Sequence, residues 1–142
     1  MLLLISSLLL MSCGADKYMK KGEKFLALGE YYDAADQFKQ AYTRTPVKER
    51  DTRGKRALKM AQCYQRINAT PKAIAAYRNA IRYNQAAKED QLAYARQLLK
   101  NGDYRQAEKV FLMLKDSMPG NQLVANLSLI HISEPTRHSL IS

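Results

Sequence analysis

The sequence predicts an all-α fold: a helical solenoid of three helix hairpins plus the start of a fourth. Gly29, Tyr31, Ala34, Phe38, Ala41 and Pro46 recur as Gly102, Tyr104, Ala107, Phe111, Leu114 and Pro119. A weaker copy, Ala61, Tyr64, Ala73, Tyr77 and Ala80, lies between them, so Ala34 recurs first at Ala73 and then, after a slightly shorter step, at Ala107. The chain has 9 Tyr, 6 Gly, 4 Pro and no Trp, a balance that suits helices packed through ring and alanine contacts. At this period each copy is a hairpin that cannot bury its apolar face alone, and stacking the copies makes a continuous core.

The chain opens on an apolar run, Met1 to Met11, and residues 1–12 are expected to be a signal peptide. The run is shorter than the ~20 apolar residues of a membrane-spanning helix, and a secretory signal fits its length. It lacks a positive n-region, so the true start is expected upstream of Met1.

Three repeats follow, over 17–50, 54–87 and 88–120. In the first, Tyr18, Gly22 and Phe25 share one helix face, with Gly22 as the point of closest approach to the paired helix. Gly29 ends that helix, Glu30-Tyr31 turns the chain, and Ala34, Phe38 and Ala41 line the second helix until Pro46 stops it. The second repeat uses Ala57, Ala61 and Tyr64, with Asn68 at the turn. Thr70-Pro71 reads as an N-cap with proline at the first helical position, and Ala73, Tyr77 and Ala80 follow. The extra residues that lengthen the first step fall near Val47 to Arg56, where they lengthen a loop or extend a helix. The third repeat has Tyr94, Ala95 and Leu98, the turn Asn101-Gly102-Asp103-Tyr104, then Ala107, Phe111 and Leu114, with Pro119 as terminator. Residues 121–126 read as the opening of a truncated next helix, whose loss is expected to expose the last apolar face and make the fragment marginal or self-associating.

The formal net charge is +10, from 23 basic and 13 acidic residues. Such a balance fits nucleic acid, an anionic membrane surface, an acidic protein partner or a merely solvated surface. Chemistry is poorly served. Both histidines, His131 and His138, lie in the C-terminal stretch 127–142, so a Ser-His-Asp or Cys-His arrangement is unavailable to the repeats. Cys63 sits inside a repeat helix, where a half-buried structural thiol is expected. The spacing shows neither a zinc pattern nor a Gly-rich phosphate loop. Glu89-Asp90 reads as a helix start. The reading is of a protein that is not an enzyme, with no cofactor and no metal ligands.

Several segments resemble known families. The recurring small and aromatic residues resemble the tetratricopeptide (TPR) repeat, which implies a right-handed solenoid that binds other proteins. The second repeat departs from that pattern at Asn68, Thr70 and Gln85, where a turn Gly, a turn Tyr and a closing Pro would stand. Leu10-Met11-Ser12-Cys13 resembles the bacterial lipobox. This implies diacylglycerol on Cys13, removal of the peptide before it, acylation of the new N-terminus, and a lipidated spacer over 13–16. Gly14 after the cysteine, and the lack of an acidic cluster in Ala15, Asp16 and Lys17, imply a periplasm-facing anchor in the outer membrane. Leu127 to Arg137 is similar to a translated sequencing-library adapter, so 127–142 is read as an artefact.

The TPR resemblance also implies a concave groove, formed by Met19, Glu23, Leu26, Gln62, Gln65, Arg66, Leu92, Arg96 and Leu99. That mixture suits an extended or helical peptide. Met19 and Glu23 stand where the carboxylate-clamp members of the family carry Lys and Asn, so a clamp for chaperone tails is not expected. Lipobox, short spacer and TPRs in this order resemble the N-terminal part of Bacteroidota outer-membrane lipoproteins of the OmpA-like type, some of which serve type IX secretion. The function these resemblances imply is a membrane-anchored scaffold within an envelope assembly or secretion complex. Its partner would be an acidic or amphipathic protein segment, with no nucleic acid and no small-molecule substrate. The alternative, motivated by the charge, is a soluble basic helical-repeat protein that binds nucleic acid.

Overall fold

The structure, a computed structural model, describes residues 2–117. Pro119, the helix opening over 121–126, the tail over 127–142 and the side chain of Cys13 lie outside what is described. The expected all-α class is what is observed. Six α-helices run α1 (Leu2–Ala27), α2 (Tyr31–Arg44), α3 (Arg50–Arg66), α4 (Thr70–Arg82), α5 (Lys88–Asn101) and α6 (Tyr104–Leu114), followed by a 3-10 turn, Lys115–Ser117. No strand occurs among the described residues.

The chain forms two compact units that meet in sequence at Ala86 and Ala87. In the first, α1 packs on α2, α2 on α3 and α3 on α4; in the second, α5 packs on α6.

The internal repeat is written into the backbone as well as the side chains. Gly29, Asn68 and Gly102 end the first helix of each hairpin with φ of 76°, 58° and 85°. Only glycine, or asparagine at modest cost, adopts that left-handed conformation readily. The next residue then closes a six-residue ring: the Glu30 N–H donates to Phe25 O, Ala69 to Tyr64 O and Asp103 to Leu98 O, each at 2.9 Å. This is the Schellman termination of a helix. Both sets of positions step along the chain by the same two offsets as Ala34, Ala73 and Ala107. Asn68 therefore does the work expected of a turn glycine.

One local expectation needs correction, and one open alternative is decided. Thr70 is not the N-cap of α4. The cap is Ala69, Thr70 is the first helical residue, and Pro71 follows it. Proline is tolerated there because the first-turn N–H groups have no intrahelical acceptor, while Thr70 is buried, 8% exposed. The insertion before the second hairpin resolves in favour of a longer helix: α3 begins at Arg50 and has 17 residues, against 14 in α2 and in α5.

The core follows the repeat. Ala34, Phe38 and Ala41 on α2, Ala73, Tyr77 and Ala80 on α4, and Ala107, Phe111 and Leu114 on α6 are all 3% exposed or less. For each ring a small residue stands at one constant offset earlier, on the preceding helix: Gly22 for Phe38, Ala61 for Tyr77 and Ala95 for Phe111. The approach at Gly22 is close, because a Cβ there would lie 2.6 Å from Phe38 Cε1. Gly54 makes a second close approach that the repeat pattern does not mark: a Cβ there would sit 2.7 Å from Tyr83 Cβ.

These gaps predict opposite effects for two helical glycines. Gly22→Ala must displace the Phe38 ring and should cost about 1–3 kcal/mol, the usual scale of overpacking. Gly14, with nothing within 4 Å of its Cβ position, should tolerate Ala and gain up to ~1 kcal/mol from helix propensity. Chemical denaturation followed by circular dichroism measures both, and equal midpoints for the two variants would show that the α1–α2 gap has no energetic role.

Candidate functional site

In the first unit α1 and α3 both pack on α2, and long side chains bridge from one to the other. Two ion pairs join them: Arg56 Nη2 to Asp16 Oδ1 at 2.7 Å, and Lys59 Nζ to Glu23 Oε1 at 2.7 Å. Met19, Glu23 and Leu26 share one side of α1 by their helical spacing. Lys59, Gln62 and Arg66 share one side of α3 for the same reason. The Glu23–Lys59 pair brings Met19, Glu23 and Leu26 of α1 alongside Gln62 and Arg66 of α3.

Their environments differ. Met19 and Leu26 are half-buried, and Glu23, Gln62 and Arg66 are exposed. Gln65 is held from behind, because the Tyr77 hydroxyl donates to its Oε1 at 2.6 Å. The Arg66 guanidinium lies 5.5 Å from the centre of the Tyr31 ring. In the second unit Arg96 is exposed and Leu99 half-buried, whereas Leu92 is 6% exposed and belongs to the packed interior. The face that a peptide could meet is therefore a pair of half-buried apolar side chains on α1 beside the polar and cationic stripe of α3.

Sequence reasoning missed what organises this face. Arg56, 7% exposed, donates to the Ala41 carbonyl at 3.3 Å, to Thr45 Oγ1, and to Asp16. Thr45 in turn donates to Ala41 O at 2.8 Å. One guanidinium thus satisfies the C-terminal end of α2, where the last carbonyls have no intrahelical donor, and reaches across to α1. Next to it Arg53 donates to Thr45 O at 2.6 Å and lies 4.2 Å from the Tyr42 ring centre. Both arginines come from the first two turns of α3, beside the lengthened segment.

Tyrosine and arginine are coupled elsewhere too. Arg44 lies 4.4 Å over Tyr18 and Arg50 lies 5.2 Å over Tyr83. Such stacks satisfy the ring's negative face and the weakly hydrated guanidinium together. A hydrogen bond from Arg53 is the main reason that the Tyr83 phenol is held below its ordinary pKa. Tyr residues expected to serve packing alone are also seats for cations, and the arginines counted in the basic excess are partly engaged within the molecule. A basic residue roughly one repeat after a tyrosine, as Arg66 is after Tyr31, is the signal that could have suggested this.

Cys63 is 1% exposed, more buried than the half-buried thiol expected. Burial pushes its pKa up to about 11, so at neutral pH it is a thiol packed as a small hydrophobe. Among the described residues no cluster of His, Cys, Asp and Glu is placed to hold a metal ion, and no helix is long and apolar enough to cross a membrane. No known family model matches the chain, and no curated protein matches it.

The Arg56 contacts predict an asymmetry between its two ends. Its side chain is 9% exposed and that of Asp16 is 61% exposed. Asp16→Ala removes a solvent-screened partner and should cost at most ~1 kcal/mol. Arg56→Ala strips the donors from buried acceptors and should cost about 2–3 kcal/mol. Urea titrations that gave equal losses would mean that the pair, and not the α2 cap, is what Arg56 contributes. For Cys63, alkylation by iodoacetamide at pH 8 should be negligible in the folded protein and complete in denaturant; modification of the native protein at the unfolded rate would contradict the burial.

Proposed function

We propose that this chain is a membrane-anchored protein-interaction scaffold of the TPR type. Its hairpins stack as a right-handed solenoid, with lipid on Cys13 and a peptide-binding face on the first helices of the hairpins. The observation that carries the reading is the recurrence, at the two repeat offsets, of the left-handed turn and its six-residue ring after the first helix of each hairpin, at Gly29, Asn68 and Gly102; the same turn also ends α4, where Asn84 has φ 55° and the Gln85 N–H donates to Ala80 O at 2.9 Å. That recurrence repeats in the backbone what the side-chain pattern implies. It is supported by nine buried residues at equivalent positions on α2, α4 and α6. A rigid stack whose exposed face mixes Met19 and Leu26 with Gln62 and Arg66 is suited to hold an extended or helical segment, and Arg66 and Arg96 favour an acidic one.

The setting proposed is the periplasmic side of an outer membrane, within an envelope assembly or secretion complex of the type IX kind. It rests on the lipobox-like Leu10-Met11-Ser12-Cys13. The nucleic-acid reading keeps one observation in its favour, the net charge of +10, and makes a different prediction: retention on DNA that falls steeply with salt.

Two measurements test the proposal. Cys13→Ala should move the protein to the soluble fraction when envelope preparations are washed at about 0.5 M salt, which screens any ionic attachment; unchanged fractionation after that wash would remove the lipid anchor from the account. Arg66→Glu combined with Arg96→Glu should change stability by less than ~0.5 kcal/mol, as exposed substitutions usually do. It should nevertheless abolish capture of an acidic partner from outer-membrane extract, because like charges across an interface are costly. Equal recovery of every partner by the folded double variant would place binding elsewhere.

A further inference from the structure

The side of α1 opposite its packed face carries Lys17, Lys20, Lys21 and Lys24 at helical spacing. At about 100° per residue these lie within one narrow stripe, and all are exposed. The buried side of the same helix, Ala15 and Gly22, points the other way, toward Phe38 in the case of Gly22. Leu28, 72% exposed, continues the stripe, and the half-buried Phe25 borders it. Lys21 Nζ lies 5.8 Å from the Phe25 ring centre.

The charge of this stripe is only partly offset within the described residues, because Asp16 and Glu23 stand one turn from Lys20 on its flank. The two acids of α1, Asp16 and Glu23, sit to one side and are each paired with a basic residue of α3. No acid among the described residues pairs with the lysines of the stripe. The contrast with the arginines is chemical. Arg44, Arg50, Arg53, Arg56 and Arg66 are stacked or hydrogen-bonded inside the first unit, whereas the lysine ammonium groups remain strongly hydrated point charges facing outward.

We infer that the lysine stripe of α1 lies on anionic lipid head groups, with Leu28 and Phe25 reaching the boundary of the acyl region. A straight stripe on one outward helix face meets a flat charged surface along its whole length. Apolar side chains within and beside it add burial that a purely ionic partner would not reward. Each lysine near an anionic surface strengthens attachment, and one lipid signal is reinforced by a basic one. The same helix runs without a break from the apolar segment that begins at Leu2, which places the stripe within a few turns of Cys13. The inference rests on the membrane-anchored reading for its biological setting, but the surface is tested without the lipid.

The experiment uses the full chain carrying Cys13→Ala. It is mixed with phosphatidylcholine vesicles and with vesicles containing about 30% phosphatidylglycerol, and binding is read by sedimentation. The apolar N-terminal segment contributes equally to both vesicles, so the difference between them reports charge. The expected result is at least about tenfold tighter binding to the anionic vesicles in low salt, lost at about 0.5 M salt. The variant K17Q/K20Q/K21Q/K24Q should lose that preference. The variant K39Q/K48Q/K55Q/R78Q, which removes the same charge from other exposed positions, should keep it.

Glutamine is a good helix former, so circular dichroism should confirm that both variants stay folded. Equal loss in both variants, or no preference in the parent, would overturn the inference. So would stripe-dependent binding of single-stranded DNA at least as tight as that of the vesicles, which would show a surface for polyanions in general. A Cys13→Ala protein that still fractionates with membranes after a wash at about 0.5 M salt would count against the lipid anchor and leave the vesicle result to decide the stripe.

Discussion

Phe38 lies where α1 has no side chain, and the first hairpin depends on that vacancy. A ring is the largest payload an apolar contact can bury, but it packs between helices only if the opposing backbone comes close. Gly22 permits this on α1, and alanines hold the equivalent places on α3 and α5. The same offset recurs along the chain, with Ala61 and Ala95 fully buried and a buried ring, Tyr77 or Phe111, at the matching place on the next helix. The turns serve the same end. A left-handed residue followed by a six-residue ring reverses the chain abruptly, which sets each second helix against the first with little slack.

The lengthened α3 gives the first unit something the simple repeat lacks. Its early turns supply Arg53 and Arg56, which occupy the carbonyl end of α2. Arg56 also reaches α1, so a single buried cation ties three helices. Burying a guanidinium is costly unless its donors are met; here a carbonyl, a hydroxyl and a carboxylate meet them. The tyrosine rings take up further arginines. The result is an unequal use of positive charge: Arg53 and Arg56 are drawn into the end of α2, other arginines lie against tyrosine rings at the surface, and the lysines of the α1 stripe stay exposed.

That division shapes what the surfaces can do. The α1–α3 face is made of half-buried apolar groups beside amides and one stacked arginine, and it is the surface proposed to take a polypeptide segment. The opposite side of α1 is a cationic stripe with an apolar edge, the surface inferred to meet a bilayer. Neither holds a nucleophile poised by a base: the buried Cys63 thiol is held protonated well above neutral pH.

Periodicity alone determined the helices, their order, the turns at Gly29, Asn68 and Gly102, and the nine seam residues. Each of these depends on the chain within a few residues of itself, or on a pattern repeated along it. The left-handed turn needs Gly or Asn at one place, and the ring needs a small residue at a set distance before it. Other features depended on residues distant in sequence. The insertion before α3 was ambiguous because a loop and a helix share its composition; helix was preferred where Arg53 and Arg56 find acceptors on α2. Asp16 and Arg56 are far apart in the chain, and no local rule selects that pair from the other charges. Leu92 carried the spacing of a groove residue yet lies in the interior, because spacing names a helix face and only packing decides how deeply that face is covered. The tertiary structure therefore decided which charges are spent inside the fold and which remain on the surface, since burial and partner distance are properties of the packed helices and not of the order of residues.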